Sequence, residues 1–369
     1  VNIHGIVRDS QGRKMSKSLG NGIDPLEVIK KHGADALRFS LAVGNSPGSD
    51  MRYYDEKVSA AGNFANKIWN ASRFVVMNLQ DGVDDDLSGA QLDVADKWIL
   101  SRLNQVIRNV TDNLENFELG LAAQKVYDFI WSEYCDWYIE MAKPRLNGQD
   151  EAGKATAKKV LSYVLIRALK LLHPFMPFIT EEIYTEMLEA GESIMISDWP
   201  VADDALDFPQ EEAAMAEIME VVRSVRNTRA GMNVPPSRKS ALIIRTKKPQ
   251  VVEATKVYLE KLAFANSISV IGEGEAEPAD AAGAVVGLGE VFLPLGDLID
   301  VEKELARLAK EKKDLEGEIA RANGKLNNEK FTSKAPAKVV EEERAKLVKY
   351  TEMLKNVEKR MESVEKLSK

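Results

Sequence analysis

The stretch Val58-Ser59-Ala60-Ala61-Gly62-Asn63-Phe64-Ala65-Asn66-Lys67-Ile68-Trp69-Asn70-Ala71-Ser72-Arg73-Phe74-Val75 decides the fold class. Val58, Ala61, Ala65, Ile68, Trp69, Ser72, Phe74 and Val75 recur mostly at steps of three and four, which puts them on one face of an α-helix, ended by Asp81-Gly82. The same spacing continues downstream. Trp98, Leu100, Leu103, Val106, Ile107, Val110 and Leu114 make a second helix, with Asp93 or Asp96 as its cap. A third runs from Leu119 through Val126, Phe129, Ile130, Tyr134 and Tyr138 to Met141, with Pro144 placed after its end. A fourth holds Val160, Tyr163, Val164, Ile166, Leu169 and Leu172, and the His173 to Glu182 run breaks the chain and starts a fifth. Long amphipathic helices with short connections predict an antiparallel bundle.

Beyond the bundle, Ala213 to Ala230 reads as a helix carrying Arg223, Arg226 and Arg229 on one face. Those arginines suit backbone phosphates of a nucleic acid, and they equally suit pairing with Glu217 and Glu220 one turn back. The period then changes. Ala241 to Arg245 and Ile268 to Ile271 read as strands, Val251 to Phe264 as a helix, and Ala284 to Gly287 with Val291 to Leu293 as a hairpin. From Leu298 the apolar steps alternate between three and four, through Val301, Leu305, Leu308, Lys312, Leu315, Ile319, Ala322 and Leu326. They resume from Val340 through Glu343, Leu347, Tyr350, Leu354, Val357 and Met361 to Val364. Two heptad helices interrupted at 327–339, with Pro336 in the break, predict an antiparallel coiled-coil hairpin.

The expected fold is therefore mainly α: an antiparallel helical bundle, a small α+β module and a C-terminal antiparallel coiled-coil hairpin. The expected divisions are 1–55, 56–208, 209–296 and 297–369.

Upstream of the bundle stands Gly12-Arg13-Lys14-Met15-Ser16-Lys17-Ser18-Leu19-Gly20-Asn21-Gly22. Two lysines three apart among small residues and glycines make a cationic loop whose backbone N–H groups can also face an anion, which is chemistry for a polyphosphate. Lys14 and Lys17 are compact point charges that can follow a phosphate as it moves, and Ser16 and Ser18 can add hydroxyl contacts. The plain alternative is a solvated basic turn. After the loop, Asp24-Pro25 starts a helix that Gly33 ends, and Asp35 to Ala42 forms another. Asp50 and Arg52 follow, as an ion pair holding the loop or as separate surface charges.

Composition limits the function classes. One cysteine, Cys135, excludes an internal disulfide and a cysteine-cluster zinc site, and three histidines, at 4, 32 and 173, give a metal site little support. No apolar run reaches the ~18–20 residues of a membrane span, and no signal peptide opens the chain. The net charge of −8 argues against a generally basic nucleic-acid binder. Charge is uneven, however. From 298 on, 18 Lys and Arg face 15 Asp and Glu, a net of +3, which leaves about −11 on the rest of a chain of net −8. A basic rod on an acidic body suits a polyanion. Lys67, Asn70 and Phe74, at i, i+3 and i+7, line up a cation, an amide and a ring that could stack on a base; Phe74 in the bundle core is the alternative.

Lys14 to Ser18, with Val7-Arg8-Asp9 before it and Asn21 to Pro25 and Gly33 to Phe39 after it, resembles the second signature of class I aminoacyl-tRNA synthetases of the valyl, isoleucyl and leucyl branch. Asn63 to Asn70, Trp131 to Glu140 and His173 to Glu182 resemble that branch's anticodon-binding domain. Asn328 to Pro336 resembles the C-terminal arm of valyl-tRNA synthetases. The resemblance implies that Lys14 and Lys17 are catalytic and that Lys14, Met15, Ser16, Lys17 and Ser18 hold the phosphates of ATP, with Mg as counter-ion. It implies tRNA(Val) as partner, contacted through candidates Lys67, Asn70, Phe74, Arg223, Arg226, Arg229, Lys330 and Lys334, with valine and ATP as substrates of the full-length enzyme. It also implies a cytoplasmic monomer. The family's first signature, His-x-Gly-His, is absent, since His4-Gly5 runs into Ile6. The chain is thus expected to be the C-terminal part of a longer enzyme, inactive alone. A fragment of an isoleucyl- or leucyl-type enzyme, a non-catalytic tRNA-binding module and a coiled-coil assembly protein remain the alternatives.

Overall fold

The computed structural model describes residues 4–46, 48–79, 82–278, 280–296, 298, 301–328 and 337–366. It divides into two compact units, Val1–Met219 with Glu253–Leu262, and Glu220–Val252 with Ala263–Lys369.

The first unit opens on two short strands, β1 (Val7–Arg8) and β2 (Met51–Arg52), paired in parallel. Between them lie α1 (Pro25–His32) and α2 (Ala34–Ala42). The Asp24 side chain accepts the Leu26 N–H at 2.8 Å as the cap of α1, and Pro25 takes the first helical position, where its missing N–H costs nothing. The bundle follows as α3 (Asp55–Asn78), α4 (Val94–Glu115), α5 (Leu119–Asp128), a π-helical stretch (Phe129–Tyr138), α6 (Ile139–Leu146), α7 (Glu151–Leu172) and α8 (Pro177–Glu182). Phe64, Phe129, Tyr134, Tyr138, Leu161 and Leu169 are fully buried among them. An aromatic seam joins three helices: Phe39 of α2 lies 5.3 Å from Phe64 of α3, which lies 4.7 Å from Tyr127 of α5 between ring centroids. α5 approaches the segment after α2 so closely that a Cβ on Gly120 would sit 2.2 Å from the Asn45 carbonyl oxygen, so only glycine fits there.

Two sequence expectations need correction. The third helix is not one regular α-helix, because its central ten residues are π-helical. Nor does Pro144 lie beyond its end; it sits inside α6. Proline removes one N–H, but the Asn147 N–H still reaches the Lys143 carbonyl at 3.1 Å, so the last turn survives. That turn carries Arg145. Its guanidinium binds Asp96 at 2.6 and 2.5 Å, and Asp96 also accepts the Tyr138 hydroxyl at 2.6 Å. Asp96 does a second job in the capping box of α4, taking the Asp93 N–H at 3.1 Å while Asp93 takes the Asp96 N–H at 3.0 Å. Both aspartates expected as alternative caps thus act together.

In the second unit, β3 (Ser240–Arg245), β4 (Ala265–Ile271), β5 (Ala281–Val286) and β6 (Gly289–Pro294) form one sheet in the order β4-β3-β6-β5. β3 and β4 are parallel, a pairing that needs a crossover, and α10 (Pro249–Leu262) supplies it in the chain. β5 and β6 are the expected hairpin. α9 (Pro209–Gly231) precedes the sheet. α11 (Val301–Leu326) and α12 (Ala337–Lys366) pack together through Leu308, Leu315 and Val357, flanked by Leu305, Tyr350, Leu354 and Met361. All of these are positions of the heptad pattern.

Asp96 is wholly inaccessible, so replacing it strands the Arg145 charge in the interior. Asp96→Ala is expected to cost the first unit about 3–5 kcal/mol. All five tryptophans, at 69, 98, 131, 137 and 199, lie in that unit, so urea unfolding followed by tryptophan fluorescence reads it directly. An unchanged midpoint would refute the expectation.

Candidate phosphate loop and nucleic-acid interface

The loop is built on one carboxylate. Asp9, directly after β1, is 6% exposed and accepts the backbone N–H groups of Gln11 at 3.1 Å and Arg13 at 2.7 Å. It also accepts the Arg13 Nε at 2.7 Å and the Asn21 Nδ2 at 2.9 Å. The turn this closes needs a residue with positive φ, and Gly12, at φ 81°, supplies it. On the far side, the Asn21 Oδ1 accepts the Ser16 N–H at 2.9 Å. Its Nδ2 also donates to the Lys14 carbonyl at 3.3 Å. Both ends of the signature are therefore tied to one point, and the Arg8–Lys14 bridge adds a backbone contact between loop and strand.

Above this base the side chains face outward. Lys14 and Lys17 are exposed, and among the described residues neither ammonium makes an ion pair, while Met15 and Ser16 are half-buried. The hydroxyls of Ser16 and Ser18 lie 3.1 Å apart, and the Ser16 Oγ accepts the Leu19 N–H at 3.3 Å. Gly20, at φ 61°, turns the chain back and donates its N–H to the Lys17 carbonyl at 3.2 Å. Two unpaired cations and a small hydroxyl pair on a short turn can meet an extended polyanion without first breaking internal ion pairs.

Of the two readings of Asp50 and Arg52, the ion pair between them does not form. Asp50 instead accepts the Arg8 Nε at 2.5 Å and the Ile6 N–H at 2.8 Å, staying within the β1–β2 ladder. The segment is further held at the start of α3. There Asp55 binds Lys31 at 2.7 Å and the His32 Nε2 at 3.1 Å, both from the end of α1.

On the bundle face, Lys67, Asn70 and Phe74 do share a side of α3, but the cation is already engaged. Lys67 Nζ lies 2.6 Å from the Asp136 carboxylate and 3.9 Å from the centroid of Trp131. Asn70 is exposed. Phe74 is half-buried with the Lys143 ammonium 5.5 Å from its ring centroid, so neither a core position nor a fully open ring describes it. The site thus includes Trp131, Asp136 and Lys143, which the reading of α3 alone could not bring in; they come from the π-helical stretch and α6. Trp131 continues a stack on Tyr127, with centroids 5.6 Å apart.

Arg229 differs from the expectation for a phosphate contact. It is 3% exposed, and its Nη2 donates to the Pro235 carbonyl at 3.1 Å and to the Arg238 carbonyl. Burial lowers its pKa, and the stiff 233–239 connector wraps around it. Arg226 lies 5.7 Å from the Phe264 centroid, and Arg223 is exposed. Lys330 and Lys334 lie outside the described residues. Among the described residues no group of three His, Cys, Asp or Glu side chains could hold a metal ion, and no helix is long and apolar enough to cross a membrane. Burial pushes the Cys135 thiol up to about 12, which removes it as a nucleophile at neutral pH.

Three family models match: tRNA synthetases class I (I, L, M and V) over residues 1–54, the anticodon-binding domain of tRNA ligase over 96–246, and the valyl tRNA synthetase tRNA binding arm over 300–365. The valine--tRNA ligase of Clostridium perfringens is 56% identical over 369 residues, covering 99% of this chain and 42% of that protein. The valine--tRNA ligase of Clostridium acetobutylicum is 53% identical over 364 residues, covering 98% and 41%. The chain therefore spans less than half the length of the curated relatives it matches. Among solved structures, a ternary LeuRS–tRNA–LeuAMS complex of Agrobacterium radiobacter K84 gives a TM-score of 0.44 at 23% identity, covering 56% of this chain and 24% of that one.

The hydrogen bond from Asn21, ahead of those from Arg13, holds the Asp9 carboxyl down at about 2. A carboxylate with a depressed pKa contributes its stabilisation above the ordinary carboxylate range and loses it as pH falls through the folded value. The loop base is thus expected to stay closed from neutral pH down to about 4 and to open toward about 2. A carboxyl-carbon NMR titration of Asp9 reads this. Asn21→Ala should move that titration upward toward the ordinary range, and an unmoved midpoint would show that Asn21 is not the group holding it.

Proposed function

This chain belongs to the valyl-tRNA synthetase family of class I tRNA synthetases, and on that premise we propose that it serves the ATP-dependent activation of valine and its transfer to tRNA(Val), in a protein longer than this chain. The observation that carries the reading is the pair of exposed, unpaired lysines, Lys14 and Lys17, on a loop anchored from below by Asp9 and Asn21. When valine attacks the α-phosphorus of ATP, charge accumulates on the departing pyrophosphate. Two ammonium groups on a preformed turn stabilise that charge, with Mg accompanying the triphosphate. Ser16 and Ser18 add hydroxyl donors to the same polyanion.

The remaining elements bind the tRNA. Unpaired anticodon bases are read by stacking and by hydrogen bonds to their edges. The half-exposed Phe74 ring and the exposed Asn70 amide supply both on one face of α3. Lys67, neutralised by Asp136, acts there by orienting Trp131 and the face rather than as a free cation. The arm, with its net positive charge, and the exposed Arg223 of α9 grip backbone phosphates, and Lys330 and Lys334 belong to that grip. A monomer suits this division of tasks, and a cytoplasmic location suits the substrate.

Valine-dependent ATP–pyrophosphate exchange by the full-length protein tests the loop. Lys14→Ala and Lys17→Ala should each lower kcat by about a hundredfold or more while the KM for valine stays within a few-fold. Wild-type kcat in both variants would sink the proposal. A separate measurement tests the bundle face: binding of this chain to valine tRNA and to the same tRNA with altered anticodon bases, at two salt concentrations. Phe74→Ala should weaken the cognate complex by about 1–3 kcal/mol and narrow the difference between the two tRNAs. Equal affinity for both tRNAs, falling steeply with salt, would instead favour a module that grips backbone alone.

A further inference from the structure

The signature loop contains two populations of hydrogen bonds. Those at the base, around Asp9 and Asn21, join residues up to twelve apart in sequence. Those at the tip, Ser16 to Leu19 and Lys17 to Gly20, are local. Among the described residues, one side chain connects the populations. Asn21 gives its Nδ2 to the Asp9 carboxylate at 2.9 Å and to the Lys14 carbonyl at 3.3 Å, and takes the Ser16 N–H on its Oδ1 at 2.9 Å. Both amide functions are used, on both lysine-bearing halves of the signature.

We propose that Asn21 is the positioning residue of this loop, a latch through which the buried Asp9 carboxylate fixes the backbone at Lys14 and Ser16 and thereby sets where the two lysine side chains start. The consequence rests on the phosphate-loop reading: the polyanion meets a loop whose base is already ordered, so that binding orders only the tip. The geometry accounts for an amide at this position. A carboxylate at 21 could accept the Ser16 N–H but would face the ionised Asp9 at hydrogen-bond distance, and an apolar side chain would leave the inner Asp9 oxygen without this donor. The charged groups nearest the latch are Asp9 and Arg13, with the Arg8–Asp50 pair formed between β1 and the residue before β2 and the Arg52 guanidinium against Gly12. Arg13 already donates to the same Asp9 oxygen as Asn21, at 2.7 Å, and its side chain is otherwise exposed.

The test reads the backbone, with no need of activity. In amide hydrogen exchange on this chain, Asn21→Ala should accelerate Ser16 by about fivefold or more relative to core amides such as Ile99 and Val164, which should not change. Asn21→Asp is the second variant. At pH 8 both carboxylates are ionised and repel each other; that repulsion raises one pKa, so as pH falls a shared proton can remake the Asp9 contact. Ser16 protection in Asn21→Asp, again relative to the core amides, should therefore be lost at pH 8 and recover as pH falls to 5, whereas Asn21→Ala stays open throughout. A residue that mattered only for folding would not show that recovery. Parent-like Ser16 exchange in Asn21→Ala, acceleration spread equally over the bundle, or a pH-independent Asn21→Asp would each overturn the latch.

Labelling of Lys14 and Lys17 with an amine reagent, with and without inorganic triphosphate, then separates the two readings. Half-protection in Asn21→Ala should need about fivefold more triphosphate than in the parent, and an unshifted midpoint would overturn the positioning role. No protection in the parent would count against the phosphate loop, while the exchange data would still decide the latch.

Discussion

The Asp96 carboxylate, buried at the head of α4, is the constraint on which the first unit depends. A charge in that position is tolerable only with full hydrogen bonding, and its partners come from distant parts of the chain. Its own helix supplies the Asp93 N–H, the π-helical stretch supplies Tyr138, and the last turn of α6 supplies Arg145. The neighbouring Asp93, whose pKa is raised by burial first and by the Asp96 charge second, receives the Tyr258 hydroxyl from α10. Four segments therefore meet around two carboxylates. Burial would by itself make Arg145 easier to deprotonate, but its hydrogen bonds to Asp96 outweigh that and keep it firmly charged. The pair contributes less to net stability than to register: the continuation of α6 past Pro144 and the pitch of the preceding π stretch are what let Arg145 and Tyr138 converge.

That register reaches the candidate interface. The π-helical residues that turn Tyr138 inward also present Trp131 and Asp136 to Lys67. Tyr127 and Phe64 carry the contact on to Phe39 of α2. Asp35, on the same helix, caps α8 by accepting the N–H groups of Phe178 at 3.2 Å and Ile179 at 2.7 Å, and Arg38 reaches the Pro174 carbonyl at 3.2 Å. The segment bearing the candidate phosphate loop is thus bolted to the bundle by aromatic packing and by a cap lent from one helix to another. The runs Gly33 to Phe39 and His173 to Glu182, read separately in the sequence, are two sides of one joint.

What was legible follows from how local each signal is. Asp24-Pro25, the heptads of the arm and the strand–helix–strand order of the small module are near-neighbour patterns, and the structure has them within a few residues. The π stretch differs because apolar residues at mixed steps of three and four predict ordinary helix. The spacing does not mark it: Val126, Phe129, Ile130, Tyr134, Tyr138 and Met141 step by one, three and four, as the buried face of an ordinary α-helix also does. Arg229 shows the same limit of local patterns, which leave phosphate contact and pairing with Glu217 and Glu220 equally open. Helical periodicity placed it beside Arg223 and Arg226, while the carbonyls that bury it come from the following connector. At the loop, Lys14 and Lys17 stand out as phosphate candidates by residue type alone, whereas Asp9 and Asn21 do not, because their hydrogen bond depends on a turn that brings them together.

In the arm, polar residues at heptad positions fix the pairing. Lys312 and Glu343 interrupt apolar series where leucine would stabilise more, yet each faces a partner across the seam: Lys312 lies 2.8 Å from Glu358, and Glu343 lies 3.3 Å from Lys325. Moving forward from Lys312 to Lys325 on α11 corresponds to moving back from Glu358 to Glu343 on α12, as an antiparallel hairpin requires. A one-turn slip would leave both pairs broken while the leucines could still find apolar neighbours, so the charges select the register that the apolar seam alone permits but does not enforce. Each seam pair also cancels itself. The net positive charge of the arm is therefore carried by residues outside the seam, among them the exposed Lys310, Lys313, Lys349 and Lys355, where a polyanion can reach it without competing with the contacts that hold the rod together.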